Sequence, residues 1–333
     1  MLTPWYLNMG VMPAGNVLHS RHCCDAILQP NIFKLVILTW LLSSSASRCT
    51  FLILFMWLGV VPSVVAQTWV YHSKPESAAD ARLDYPIALL HLCLAKSGGD
   101  YQLKQNDTAM QQGRSLRLLE QGQGIDVVWT LTSIERERRL LPIRIPIDRG
   151  LIGWRLLLIR SGDKEFFSQI STVQELAKLR AGQGHDWPDT QVLRENNFNV
   201  STGSSYEGLF AMLSRGHSQY FPRSISEIWP EVATHSRNFG LEVEPKWAFH
   251  YPAAMYYFVK KDNHRLAVAI EKGLRQALAD GSMKQLFDEY YGVAIARARL
   301  SERHVIELKN SELPVATPLA ESSLWFDLGE LAP

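Results

Sequence analysis

Between Trp129 and Arg144 the chain reads WTLTSIERERRLLPIR, with Thr130, Thr132 and Ser133 followed by Arg136, Arg138, Arg139 and Arg144. Hydroxyls donate to an oxyanion. A guanidinium grips one through paired, charge-assisted hydrogen bonds, each worth about 1.5–3 kcal/mol net. The stretch therefore reads as a socket for an anion or as a solvated charge run pairing with Glu135 and Glu137. Arg139 and Arg144 fit the second description.

Signatures of catalysis are missing. The chain holds no G-x-S-x-G elbow, no H-E-x-x-H pair and no Walker loop. GQGHDW lacks the glycine spacing of a dinucleotide fingerprint. His72, His91, His185, His217, His235 and His250 are scattered without metal-ligand spacing. No enzyme activity, cofactor or metal is expected. Cys93, within the helical pattern IALLHLCLAKSG, reads as a buried, inert thiol.

The elements that position the hydroxyls and arginines follow from periodicity. QTWVYHS (67–73), YQLKQN (101–106) and IDVVWT (125–130) read as strands. DYPIALLHLCLAKSGG, with Ile87, Leu90 and Leu94 on one stripe, and GRSLRLLEQGQG read as helices stopped by glycine. This alternation predicts a parallel, doubly wound sheet. A long strand through Leu156–Ile159 opens a second unit of the same kind. In it TVQELAKL, DTQVLRENN and SSYEGLFAMLSRG read as helices, and RAGQG and SQYFPRS as strands. AMYYFVKK (254–261) is an apolar strand leading into two helices broken at Asp280–Gly281, the first with Leu266, Ile270 and Leu274 on its buried face. From Ala294 to Pro333 prolines and scattered charges mark an extension.

At 333 residues, 47% hydrophobic and a net charge of +1, the chain can bury one large or two medium cores. The balanced charge gives no support to a nucleic-acid partner. Residues 1–66 differ: Ile32–Leu42 and Phe51–Val61 are apolar runs. The second follows Arg48 and leads to Val64 and Ala66, the pattern of a secretory signal cleaved near Ala66. It is short against the roughly 20 residues of a membrane span. A retained anchor built from both runs is the alternative. Cys23, Cys24 and Cys49 lie in this leader. A periplasmic, monomeric product is expected.

The order of these pieces resembles the bacterial extracellular solute-binding proteins of family 3, the amino-acid-binding group of two-lobed periplasmic receptors. Three segments carry the likeness: LRLLEQGQGIDVVWTLTSIER (116–136), SSYEGLFAMLSRG (204–216) and the ending YYFVKKDNHRLAVAIEKGLRQALADGSMKQLFDEYYG (256–292). The resemblance covers roughly Thr68–Gly292. It implies the α/β type II periplasmic-binding-protein fold, each lobe a doubly wound sheet with flanking helices. It places residues 67–153 and 255–295 in one lobe, 154–254 in the other and 296–333 in an extension. The chain would cross twice, near Trp154 and Met255, and close like a hinge over its ligand. Membrane subunits of an ABC transporter, or a sensor, are the implied partners.

By its place in S-I-E-R, Arg136 matches the arginine with which the family binds a carboxylate; Arg138 is the alternative. Trp129, Thr130, Thr132 and Ser133 fall at the carboxyl end of a strand, where ligands settle in open sheets. Tyr71 and Trp129 are candidate aromatic walls. On the facing lobe, Gly184 and His185 would offer backbone amides, and Arg223 follows an apolar strand. The family's acidic residue for a ligand ammonium is missing from YFPRS. If Arg136 and Arg223 both face the cleft, the ligand bears two negative groups or lacks an ammonium. The rival reading is an enzyme of the cyclohexadienyl dehydratase kind, with Glu76, His72, His185 or Asp186 as acid or base. A membrane-tethered sensor is a third.

Overall fold

A computed structural model describes residues 67–76, 80–327 and 329. The leader features, including the apolar runs, the cleavage site and three of the four cysteines, lie outside the described residues. Among those described, no helix is long and apolar enough to cross a membrane.

The first unit runs β1 (Thr68–Lys74), α1 (Asp84–Lys96), β2 (Tyr101–Ala109), α2 (Gln112–Gln121), β3 (Val127–Leu131), α3 (Ile134–Arg139) and β4 (Leu141–Ile143). Strand β1 pairs in parallel with both β2 and β3, because the intervening helices act as crossovers. The second unit runs β5 (Trp154–Arg160), α4 (Lys164–Ser168), α5 (Val173–Lys178), β6 (Arg180–Gly184), α6 (Pro188–Glu195), β7 (Asn199–Gly203), α7 (Tyr206–Ser214), β8 (Phe221–Ser224), α8 (Ile225–Phe239) and β9 (Leu241–His250). The chain then returns through β10 (Met255–Val259), α9 (His264–Ala279), α10 (Ser282–Ala298) and β11 (His304–Glu307).

Strand β10 inserts antiparallel between β3 and β4, giving a first sheet of order β2-β1-β3-β10-β4. The second sheet has the order β11-β9-β5-β8, and a parallel bridge between Ala181 and Tyr220 links β8 to the β6–β7 pair. The apolar strands are buried as their composition requires: Leu156, Leu157, Leu158 and Ile159 have no exposed surface. Leu266, Ile270 and Leu274 form the buried stripe of α9. Helix α9 lies so close on α1 that a Cβ at Gly273 would stand 1.9 Å from the Cys93 carbonyl oxygen. Burial pushes the Cys93 thiol up to about 12, which keeps it inert.

The chain passes from the first sheet to the second through residues 144–153 and returns through 251–254. Two further passages were not foreseen. Helix α10 starts against α1, where Phe287 meets Tyr85, and ends against α8, where the Trp229 indole donates to the Ala294 carbonyl at 2.9 Å. The last segment then crosses back. Strand β11 joins β9 in the second sheet, while Trp325 and Phe326 dock on Arg149 and Phe287.

Candidate functional site

A cavity of about 330 Å³ opens between the two sheets. It sits at the carboxyl ends of β1 (Ser73, Lys74) and β3 (Trp129, Thr130, Leu131), facing the first turns of α6 (Pro188, Asp189) and α8 (Ser226, Glu227). Strand ends and helix starts present polar groups outward, so this is where an open sheet builds a site.

Arg136 is held here by local folding. Ser133 caps α3 by accepting the Arg136 amide at 3.2 Å, which starts the helix so that residue 136 turns back over the end of β3. Its Nη1 donates to Thr130 Oγ1 at 2.5 Å and to the Leu131 carbonyl at 2.7 Å. Its Nη2 donates to Gln112 Oε1 at 2.7 Å and, across the cavity, to the Asp186 carbonyl at 3.1 Å. Every partner is neutral. Burial draws the guanidinium pKa down to about 10, opposed by the more distant charges of Asp186 and Asp189.

The other cavity arginines are matched by carboxylates. Arg155 donates to Asp189 and, at 3.2 Å, to Glu227, and Tyr251 shares the Asp189 oxygen. Arg223 binds Glu231 at 2.6–3.0 Å and lies 3.1 Å from Glu227, stacked beneath Trp187 and Phe221. Arg82 holds Asp80 at 2.7 Å and lies 3.8 Å over the Tyr206 ring of the second lobe. Glu76 lies 3.8 Å from Arg82 and accepts the Tyr206 amide at 3.4 Å. Burial raises the Glu76 pKa, with the Arg82 charge opposing it.

Of the residues singled out from sequence, Glu76, Trp129, Thr130, Arg136 and Arg223 line the cavity, and Asp186 does not. Tyr71 does not either: it lies three residues short of the end of β1 and meets Lys104 on β2 instead. Thr132 is buried, its hydroxyl spent on Glu137 at 2.8 Å. Gly184 lies beneath the Trp187 indole, where a Cβ would come within 2.5 Å of the ring. The His185 amide is taken by the Gly203 carbonyl at 3.0 Å, and its side chain is exposed. Trp187, Pro188 and Asp189 reach the cavity in their place. His72 packs on Trp129, outside the cavity lining. Arg138 is exposed, whereas Arg139 pairs with Glu120 and Glu135 and Arg144 with Glu137.

Sequence reasoning missed Gln112, Arg155, Asp189 and Glu227. Two carried a usable signal. Arg155 is the one charge at the head of the apolar run WRLLLI, and a charge there is tolerable only with buried partners. Glu227 completes a capping box with Ser224, which marks a helix start at a strand end. With Glu76, Asp84, Asp189 and Glu227 in the lining, carboxylates are present despite their absence from YFPRS. Among the described residues no group of His, Cys, Asp or Glu is arranged to hold a metal ion.

No protein-family model and no curated protein matches the chain. In fold it is similar to an ancestral arginine-binding protein bound to glutamine: TM-score 0.52, 16% identity, over 68% of this chain and 99% of that one. It is similar also to the substrate-binding protein of an amino acid ABC transporter, with TM-score 0.51 and 12% identity over 67% of this chain and 99% of that one. A histidine kinase sensor domain resembling periplasmic binding proteins matches at TM-score 0.50 and 13% identity, over 68% and 96%. The chain has the two-lobed, type II periplasmic-binding-protein fold, and these neighbours accord with the family 3 resemblance.

Proposed function

We propose that this protein captures a small polar solute bearing one carboxylate or comparable anionic group, closing its lobes over it. Arg136 is the group that receives the anion. The observation that carries this reading is the pairing of the cavity's arginines: Arg82, Arg155 and Arg223 each face carboxylates, while the Arg136 guanidinium has only neutral acceptors. A buried cation with no carboxylate bonded to it is costly, and an incoming carboxylate relieves that cost. Arg223 adds no unmatched charge, so one anionic group suffices, and the carboxylates of the lining leave room for an ammonium. An amino-acid-like solute fits best, in keeping with the ligand in the structure of the arginine-binding neighbour.

In this reading residues 67–153 and 255–295 form one lobe, 154–254 the other, and residues 1–66 direct export to the periplasm. The monomer hands its solute to the membrane subunits of an ABC transporter; a sensory role, as in the kinase neighbour, is the variant in which the leader is retained. Calorimetric titration with a panel of amino acids, monocarboxylates and dicarboxylates tests the ligand class. Binding of a monocarboxylate that Arg136→Ala abolishes supports it; binding only of solutes without an anionic group overturns it.

One observation favours an enzyme on the same scaffold: Glu76 faces the cavity with its pKa raised by burial, as a general acid requires. Turnover of a prephenate-like acid that disappears in Glu76→Gln would establish that reading.

A further inference from the structure

We infer that the segment from Arg299 to Phe326 is a strap across the back of the cleft, positioning the helix that carries Arg136. The segment is anchored first on the second lobe. The Arg303 guanidinium donates to the carbonyls of Ala298 at 2.7 Å, Glu244 at 2.5 Å and Trp247 at 3.2 Å. Strand β11 then runs parallel to β9, with His304 opposite Trp247 and Glu307 opposite His250. Beyond it, Asn196 at the end of α6 embraces the Lys309 peptide, donating to its carbonyl at 2.8 Å and accepting its amide at 3.0 Å. Ser311 gives its amide to Glu195 at 2.9 Å and its hydroxyl to the same carboxylate.

One residue later the chain is bonded to the other lobe. The Glu312 carbonyl accepts the amide of Ile134, the first residue of α3, at 3.0 Å. The strap ends where Phe326 donates to the Arg149 carbonyl at 2.7 Å and the Arg149 guanidinium returns a bond to Trp325 at 3.0 Å.

Helix α6 contributes Asp189 to the second-lobe side of the cavity and α3 contributes Arg136 to the first-lobe side. Adjacent Cα atoms are about 3.8 Å apart, so Ser311 and Glu312 tie the end of α6 to the start of α3 within one residue's reach. Asn310 also donates to the Pro252 carbonyl of the returning passage at 2.9 Å, so a rotation of the lobes about any axis that does not run through this tie strains the Glu195 and Asn196 bonds or the Ile134–Glu312 bond. The strap therefore sets how far the cleft opens and where the Arg136 guanidinium stands when it does. This rests on the proposed binding role only in what Arg136 is for; the mechanical coupling is independent of it.

Hydrogen exchange on the full chain tests the coupling without a ligand. In the double variant Glu195→Ala/Asn196→Ala, exchange at Ile134 and through the α3 amides rises about tenfold, the effect of losing about one ordinary hydrogen bond's worth of restraint on α3. The radius of gyration by small-angle scattering rises with it, while exchange in α9 and β10 stays unchanged. Faster exchange confined to residues 309–312, with α3 and the radius unmoved, overturns the inference. Should the double variant misfold, the milder single variants Asn196→Ala and Ser311→Ala, each removing part of the same tie, are read in the same way. If α3 loosens but no anionic solute binds, the strap stands and the binding proposal falls.

Discussion

A guanidinium stripped of water and given only neutral acceptors keeps a charge that none of them cancels, although four of its five N–H donors are engaged and a carboxylate must displace some of those acceptors. That is the condition of Arg136, 5% exposed and bonded to a threonine hydroxyl, two carbonyls and an amide oxygen. Arg136→Ala is expected to weaken binding of a carboxylate solute at least about hundredfold, from the loss of two charge-assisted bonds. Arg136→Lys keeps the charge but loses the planar fork, and a loss of about tenfold is expected. Titration calorimetry reads both. Asp148, fully buried beside the first interlobe passage, has its pKa raised to about 7 by burial, opposed by the Ile152 and Gly150 amides. Unfolded, the same carboxyl ionises near about 4. Between these values the native state holds a proton that the unfolded state has released, so this group's contribution to stability falls as pH rises from about 4 to about 7. In Asp148→Asn that decline disappears, which urea unfolding midpoints across the window will show. Arg136 was picked out by its place in the S-I-E-R of the family resemblance, and the structure sets it at the end of β3 through a local cap, Ser133. Gly184 and His185 misled because a glycine at a strand end looks like an open cradle, and nothing nearby in sequence shows that Trp187 lies over it.

Secondary elements were readable where one face is apolar and the stop signal is unambiguous. Helices α1 and α9 follow their stripes, and β3 follows its run of buried residues. Helix α8 escaped because Pro230 lies inside it, removing an amide from the ladder and suggesting a break. It survives through its Ser224–Glu227 capping box and through Ile225 and Ile228 buried beneath it. Strand β9 alternates imperfectly and carries Pro245, which hides its period; β11 is only four residues long and exists because β9 offers an edge. The packing of α9 on α1 yields a sharp prediction. Gly273→Ala places a methyl into the Cys93 carbonyl, and the helices must part, costing about 1–3 kcal/mol. Thermal unfolding should show the loss. The solvent-facing Val268→Ala on the same helix, by contrast, should shift stability by less than about 0.5 kcal/mol.

For the whole molecule, two α/β units in tandem follow from the order of elements, whereas the cleft and the two linking passages near Trp154 and Met255 were legible only through the family resemblance. The third and fourth ties between lobes had no local signature. Helix α10 bridges because its two ends meet different partners, Tyr85 and Trp229, distant in sequence. The bonds that seat the strap on α6 join residues over 100 positions apart, such as Asn196 with Lys309. The anion socket, the closing lobes and the strap meet at one guanidinium, so the decisive measurement is native mass spectrometry of the gently purified protein beside Arg136→Ala. The wild type is predicted to carry a small carboxylate-bearing solute that the variant, equally folded, lacks. Equal occupancy of the two proteins by the same solute would contradict the assignment of Arg136 as the group that receives it.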